Sequence, residues 1–150
     1  WAATWRSECL SWNRKGAKPL RDPMTENELS KVIVDAALTV HRELGPGLLE
    51  SVYEHCLAFE LRERGLTVVQ QQALPAHYKG TALDLGFRVD LWVERKVVVE
   101  IKTVDALNDV HLAQVLTYLK LNDNKLGLLI NFNVALLKHG IRRVVNGLVE

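Results

Sequence analysis

A strict apolar–polar alternation from residue 83 to 93, followed three residues later by a second apolar run, constrains this chain more than any other feature. Leu83, Leu85, Phe87, Val89, Leu91 and Val93 fall on one face of an extended backbone, and Asp84, Gly86, Arg88, Asp90 and Trp92 on the other. Period two belongs to strands, so this segment predicts a strand buried on one side. A charged turn, Glu94-Arg95-Lys96, leads to a further strand, Val97-Val98-Val99-Glu100-Ile101-Lys102. A one-residue slip would turn a whole apolar face outward, so buried odd positions must pair with odd positions. That register needs an odd-length loop, and residues 94–96 supply one. Val93 then faces Val97, and Asp90 falls opposite Glu100, with Cβ atoms about 5 Å apart on a face that Lys102 shares.

Like charges at that distance destabilise a sheet unless a cation bridges them or one carboxyl takes up a proton. Two converging carboxylates with a lysine beside them suit a hard, oxygen-seeking cation. Magnesium accepts one or two carboxylates together with waters and phosphate oxygens. Such a metal would lower the pKa of a bound water and neutralise charge on a pentavalent phosphate. Lys102 would stabilise that charge or position the attacking water. Taken alone, the same residues also describe an exposed acidic pair salt-bridged to Lys102 or Arg88.

The rest of the chain supplies the frame. Thr25-x-x-Glu28 has capping-box spacing, and Leu29, Val32, Ile33, Ala36, Ala37 and Val40 follow at helical intervals, predicting a helix over about 26–43. Gly45-Pro46-Gly47 breaks it. A second helix is expected over about 48–64, with Leu49, Val52, Tyr53, Cys56, Leu57 and Leu61 as its apolar stripe and Gly65 just beyond its end. Residues 67–79 read as an interrupted strand with Pro75 at an edge or bulge. A third helix at about 108–122 and a strand at 126–132 follow, and Ile141, Val144 and Val145 close on a short strand or helical turn. The order ααβββαβ contains one parallel crossover, over the third helix, and defines a mixed α/β sheet.

Charge is uneven. Residues 1–23 hold five basic and two acidic residues and three of the four tryptophans, Trp1, Trp5 and Trp12, with no periodic apolar face. They read either as a basic aromatic arm or as a leader upstream of a start at Met24, the chain's single methionine, and the second reading is preferred. The remainder carries 14 basic and 16 acidic residues, so bulk electrostatics alone would not hold nucleic acid. No stretch approaches the length of a membrane span. Cys9 and Cys56 make no disulfide framework, Cys56 reads as a small buried hydrophobe, and the five histidines lack zinc-ligand spacing. A reducing, cytoplasmic setting is expected.

Two helical pairs stand out beside the carboxylates. Glu50 and Tyr53 lie at i, i+3 on the second helix. Gln114 and Tyr118 lie at i, i+4 on the third, with His111 and Leu121 on their side and Leu112, Val115, Leu116 and Leu119 on the opposite, core-facing stripe. A glutamine and a tyrosine so placed can hydrogen-bond phosphate oxygens. Their bland reading is a cap partner and a buried tyrosine.

Glu50, Asp90, Glu100-x-Lys102 and Gln114-x-x-x-Tyr118 occur in an order that resembles the PD-(D/E)xK nuclease superfamily, the last element resembling its recombination-exonuclease branch. More closely, Gly47-x-x-Glu50-x-x-Tyr53 within residues 41–50, Tyr78-Lys79-Gly80, Arg88-Val89-Asp90-Leu91 and Leu129-Ile130-Asn131-Phe132-Asn133 resemble the GxxExxY protein family. The likeness covers about 26–146, with Val89 where many superfamily members have proline. It implies a restriction-endonuclease-like αβββαβ core, a mixed sheet flanked by helices, with an extra N-terminal helix, in a domain over 24–150. It further implies Asp90, Glu100, the Ile101 carbonyl and Glu50 as ligands to Mg2+ or Mn2+, Lys102 as catalytic lysine, and Gln114 and Tyr118 orienting substrate.

The expected function is metal-dependent hydrolysis of phosphodiester bonds in DNA. The alternative is a catalytically silent module of the same fold that binds nucleic acid or a protein partner, a reading suited to the acidic balance of residues 24–150 and to basic clusters limited to Arg142-Arg143. A small-molecule enzyme has little support, because no P-loop, nucleophile elbow or dinucleotide fingerprint is present. The 127 residues from Met24 onward offer little surface to grip a duplex, which would suit a homodimer.

Overall fold

The computed structural model describes residues 22–84 and 86–149. Trp1, Trp5, Trp12, Cys9 and the basic residues up to Arg21 lie outside the described residues, as does Leu85. Helix α1 spans Glu26–Leu44. The Thr25 hydroxyl accepts from the Glu28 amide at 3.2 Å, and the Glu28 carboxylate accepts from the Thr25 amide at 3.0 Å. Two orphan amides are thereby satisfied at the helix start. The helix buries Leu29, Ile33, Ala36, Ala37 and Val40, as its spacing predicts. Helix α2 spans Glu50–Glu63 and ends with the Gly65 amide on the Arg62 carbonyl and the Leu66 amide on that of Leu61. Gly65, at φ +84, supplies the left-handed turn this ending needs.

Five strands form the main sheet in the order β1 (Val68–Ala73), β4 (Arg88–Val93), β5 (Val97–Lys102), β6 (Leu126–Asn131) and β7 (Ile141–Val145). Strands β2 (Ala76–Tyr78) and β3 (Thr81–Leu83) make a separate two-stranded hairpin. Only β5 and β6 run parallel, joined through helix α3 (Asp109–Asn122). Of the two endings foreseen for Ile141, Val144 and Val145, the strand is the one that forms, as β7, and a 3-10 turn at Leu137–Gly140 leads into it. One core lies where α1 and α2 cover the sheet, built on Leu91, Val93, Val97, Val99, Ile101, Leu126, Leu128 and Ile130. A smaller one lies under α3, built on Val89, Val98, Val115, Tyr118, Leu119 and Leu129. No described helix is long and apolar enough to cross a membrane.

Three expectations need correcting. The alternation over 83–93 is not one strand. It breaks between β3 and β4, where Gly86 turns the chain at φ +70 and Phe87 is exposed. It breaks again at Asp90, because Val89 packs under α3 while Leu91 and Val93 pack under α1 and α2. The α2 stripe is rotated: Tyr53, Leu57 and Leu61 are buried, but Leu49 and Val52 are exposed, and Glu54 and Ala58 take their place inside. Leu49 caps the helix outside its first turn, where no core reaches it. On α3, Tyr118 joins Val115 and Leu119 in the core rather than facing away from them, and Leu121 packs there too. Cys56 is half-buried and packs at the margin of the larger core.

A candidate metal and phosphodiester site

The β4–β5 turn places the two carboxylates. Val93 pairs with Val97, Trp92 with Val98 and Leu91 with Val99, as the odd-length loop requires. Glu94 and Arg95 take the left-handed backbone of that turn, at φ +50 and +57. Continued by one step, the register sets Asp90 opposite Glu100, where the ladder opens. The Asp90 side chain fills the opening, its Oδ2 accepting from the Ile101 amide at 2.8 Å.

Glu100 is 5% exposed, so its carboxylate has lost most of its hydration. Burial first, and then the Asp90 carboxyl within hydrogen-bonding reach, raise its pKa from 4.5 to about 10, and the more distant charge of Glu50 adds to the shift. The Lys102 ammonium works against it. Without a cation, the Asp90–Glu100 pair therefore retains a proton at neutral pH.

The remaining residues surround this pair. Lys102 ends β5 half-buried, and β6 runs alongside with Asn131 paired to it. Asn131 is buried and fixes the chain just after Lys102, accepting from the Val104 amide at 3.1 Å and donating to the Val104 carbonyl at 2.9 Å. Gln114 donates to the Tyr118 hydroxyl at 2.9 Å, which leaves the hydroxyl proton to point elsewhere. Burial and the nearby Glu100 raise the Tyr118 pKa, so the phenol remains a donor. Glu50, at the first turn of α2, is exposed, whereas Tyr53 three residues on is fully buried. The i, i+3 spacing thus does not bring both to one surface. Among the described residues, no group of three or more His, Cys, Asp and Glu side chains is close enough to hold a metal.

Two residues at this site escaped the sequence reading. Glu54, one turn after Glu50, is 8% exposed and accepts from Gln70 at 3.0 Å and from Gln71. Gln71 also donates to Asp90 Oδ1 at 3.2 Å. The signal available in the sequence was the run Gln70-Gln71-Gln72 on a strand, polar where a half-buried edge would alternate.

A family model of the PD-(D/E)XK nuclease superfamily matches residues 27–144. The chain belongs to that superfamily, and its five-stranded mixed sheet flanked by helices is consistent with a restriction-endonuclease-like fold. No curated protein and no solved structure gives a significant match.

Proposed function

We propose that this chain is a divalent-metal-dependent nuclease that hydrolyses phosphodiester bonds in DNA, of the GxxExxY kind. The observation that carries the reading is the Asp90–Glu100 pair, a half-buried and a buried carboxyl within hydrogen-bonding reach of each other, with Lys102 on the same strand as Glu100. Those donors fit Mg2+ or Mn2+. Burial has already removed most of the water from Glu100, and a cation between the two carboxyls would relieve the repulsion that otherwise holds a proton there.

Asp90, Glu100 and the Ile101 carbonyl would hold the ion, while Glu50, exposed at the start of α2 and outside any close three-carboxylate group among the described residues, would add its negative charge. When bound, the metal supplies a water of lowered pKa and positive charge beside the scissile phosphate. The chain's own groups do the rest. Lys102 presents its ammonium to the charge that develops on the phosphate oxygens. Tyr118, its oxygen occupied by Gln114, donates its proton toward a phosphate oxygen, and Gln114 fixes the rotamer that allows this. Asn131 keeps the segment after Lys102 from drifting, so the ammonium stays near the carboxylates.

The test is cleavage of single-stranded, duplex and branched DNA in the presence of magnesium or manganese. Asp90→Ala and Lys102→Ala are expected to abolish cleavage. Equal activity in either variant would overturn the assignment.

A further inference from the structure

The ladder between β1 and β4 runs from Val68–Val93 to Ala73–Arg88 but skips one position, Gln71 opposite Asp90. Gln71 stands there with φ +54, a left-handed backbone that side-chain-bearing residues avoid. Its carbonyl, released from the ladder, accepts from Arg88 at 3.4 Å. Its side chain bridges two carboxylates, donating to Asp90 Oδ1 at 3.2 Å and to Glu54. An amide can satisfy two carboxylates only with its nitrogen, so the chemistry fixes which way the group points. Glu54 is buried and anchored a second time by Gln70, so the far end of the bridge does not yield.

Asp90 is consequently held at both oxygens, Oδ1 by Gln71 and Oδ2 by the Ile101 amide at 2.8 Å. The two hydrogen bonds resist rotation of the carboxylate, which stays within hydrogen-bonding reach of Glu100. A strained backbone sustained by a hydrogen bond to a candidate ligand is the pattern of a residue kept for geometry rather than for stability.

We propose that Gln71, braced on Glu54, is a positioning residue that sets the Asp90 carboxylate for a divalent cation. This inference rests on the metal-dependent reading of the Asp90–Glu100 site. Groups of this kind around a metal ligand change affinity by about 10- to 100-fold when removed.

Backbone and side chain make separable predictions. Gln71→Gly removes the amide and relieves the left-handed backbone; Gln71→Ala removes the amide and keeps the strain. Calorimetric titration of the full chain with Mn2+ is expected to show both variants binding at least about tenfold more weakly. Thermal unfolding of the metal-free proteins is expected to place Gln71→Ala several degrees below Gln71→Gly. Equal Mn2+ affinity in all three proteins overturns the proposal. Affinity lost only in Gln71→Ala, in step with stability, overturns it as well and makes Gln71 a structural residue. Absence of Mn2+ uptake by the unsubstituted chain overturns the metal-dependent reading itself, and the inference with it.

Discussion

The ring of Tyr53 lies flat on that of Phe132, with centroids 4.5 Å apart and planes 9° from parallel. This stack joins α2 to the chain leaving β6, one residue after Asn131, so two of the motifs noted in the sequence meet in space. The Tyr53 hydroxyl donates to the Gly45 carbonyl at 2.6 Å and accepts from the Leu48 amide at 3.2 Å. It therefore ties down the Gly45-Pro46-Gly47 loop, whose end sets where α2 and Glu50 begin. Tyr53→Phe keeps the stack and removes both hydrogen bonds, at a cost of about 1–2 kcal/mol measured by urea unfolding. Tyr53→Ala removes the stack too and is expected to cost about 3–5 kcal/mol. Indistinguishable unfolding curves for the wild type and Tyr53→Phe would show that the hydroxyl is not a clamp.

Glu100 makes the metal-free protein sensitive to alkali. Its pKa is raised by burial, and then by Asp90, from 4.5 to about 10 in the folded state. Between those values the folded protein keeps a proton that the unfolded chain has released. The unfolded state binds fewer protons there, so this contribution is full below 4.5 and is lost as pH rises toward 10. The slope for one proton is at most about 1.4 kcal/mol per pH unit. Urea unfolding in chelator is expected to show wild-type stability falling from pH 5 to pH 8 relative to Glu100→Gln, which has no proton to lose there. A constant difference between the two proteins across that range would refute the shift.

Register was the most legible feature, because three residues between two apolar faces admit only one pairing, and Val93–Val97 follows from that count. Helix positions were legible for the same reason, and the capping box at Thr25 is a local signal that tertiary contacts did not override. The face of each helix was less so. Glu54 is buried because Gln70 and Gln71 reach it from β1, a partner 16 residues away that periodicity on α2 cannot reveal. The break at Asp90 was hidden too. Alternation counts parity along a strand, and parity fails where Gln71 adopts a left-handed turn across the ladder. Residue type and spacing thus single out Asp90, Glu100, Lys102, Gln114 and Tyr118 as candidates, but not the polar bridge behind Asp90.

Gly140 is required by space. A Cβ added there would stand 2.2 Å from the Asn131 carbonyl oxygen and 3.0 Å from a Val134 methyl. The first contact is backbone, at the end of β6, and cannot swing aside. Gly140→Ala is therefore expected to cost about 1–3 kcal/mol in overpacking strain and to disturb the Asn131 contacts to Val104. Gly127→Ala makes a useful comparison, since its Cβ would meet Val115 Cγ1 at 2.7 Å, a side chain on a helix that can shift slightly. Urea unfolding should rank Gly140→Ala as the more damaging substitution. The reverse order would mean that the turn after β6 yields more readily than the packing of α3.

The β2–β3 hairpin offers a test of the nucleic-acid reading that leaves the carboxylates untouched. Its turn, Lys79-Gly80 at φ +50 and +78, is the tight left-handed type that matches strand twist. The hairpin leaves the sheet between Ala73 and Arg88, two residues before Asp90, so it projects from the end of the sheet that carries the candidate site. Tyr78 is 64% exposed there, with the Lys79 ammonium 5.4 Å from its ring centroid. An open aromatic face beside a cation is what an unpaired base and its phosphate would meet. Tyr78→Ala is expected to weaken binding of a fluorescent single-stranded oligonucleotide by about 1–3 kcal/mol. Lys79→Ala should reduce the salt dependence of that binding by a slope of about 0.7. Neither side chain supports the core, so both variants should melt with the wild type, and unchanged affinity in both would remove the hairpin from the proposed nucleic-acid surface.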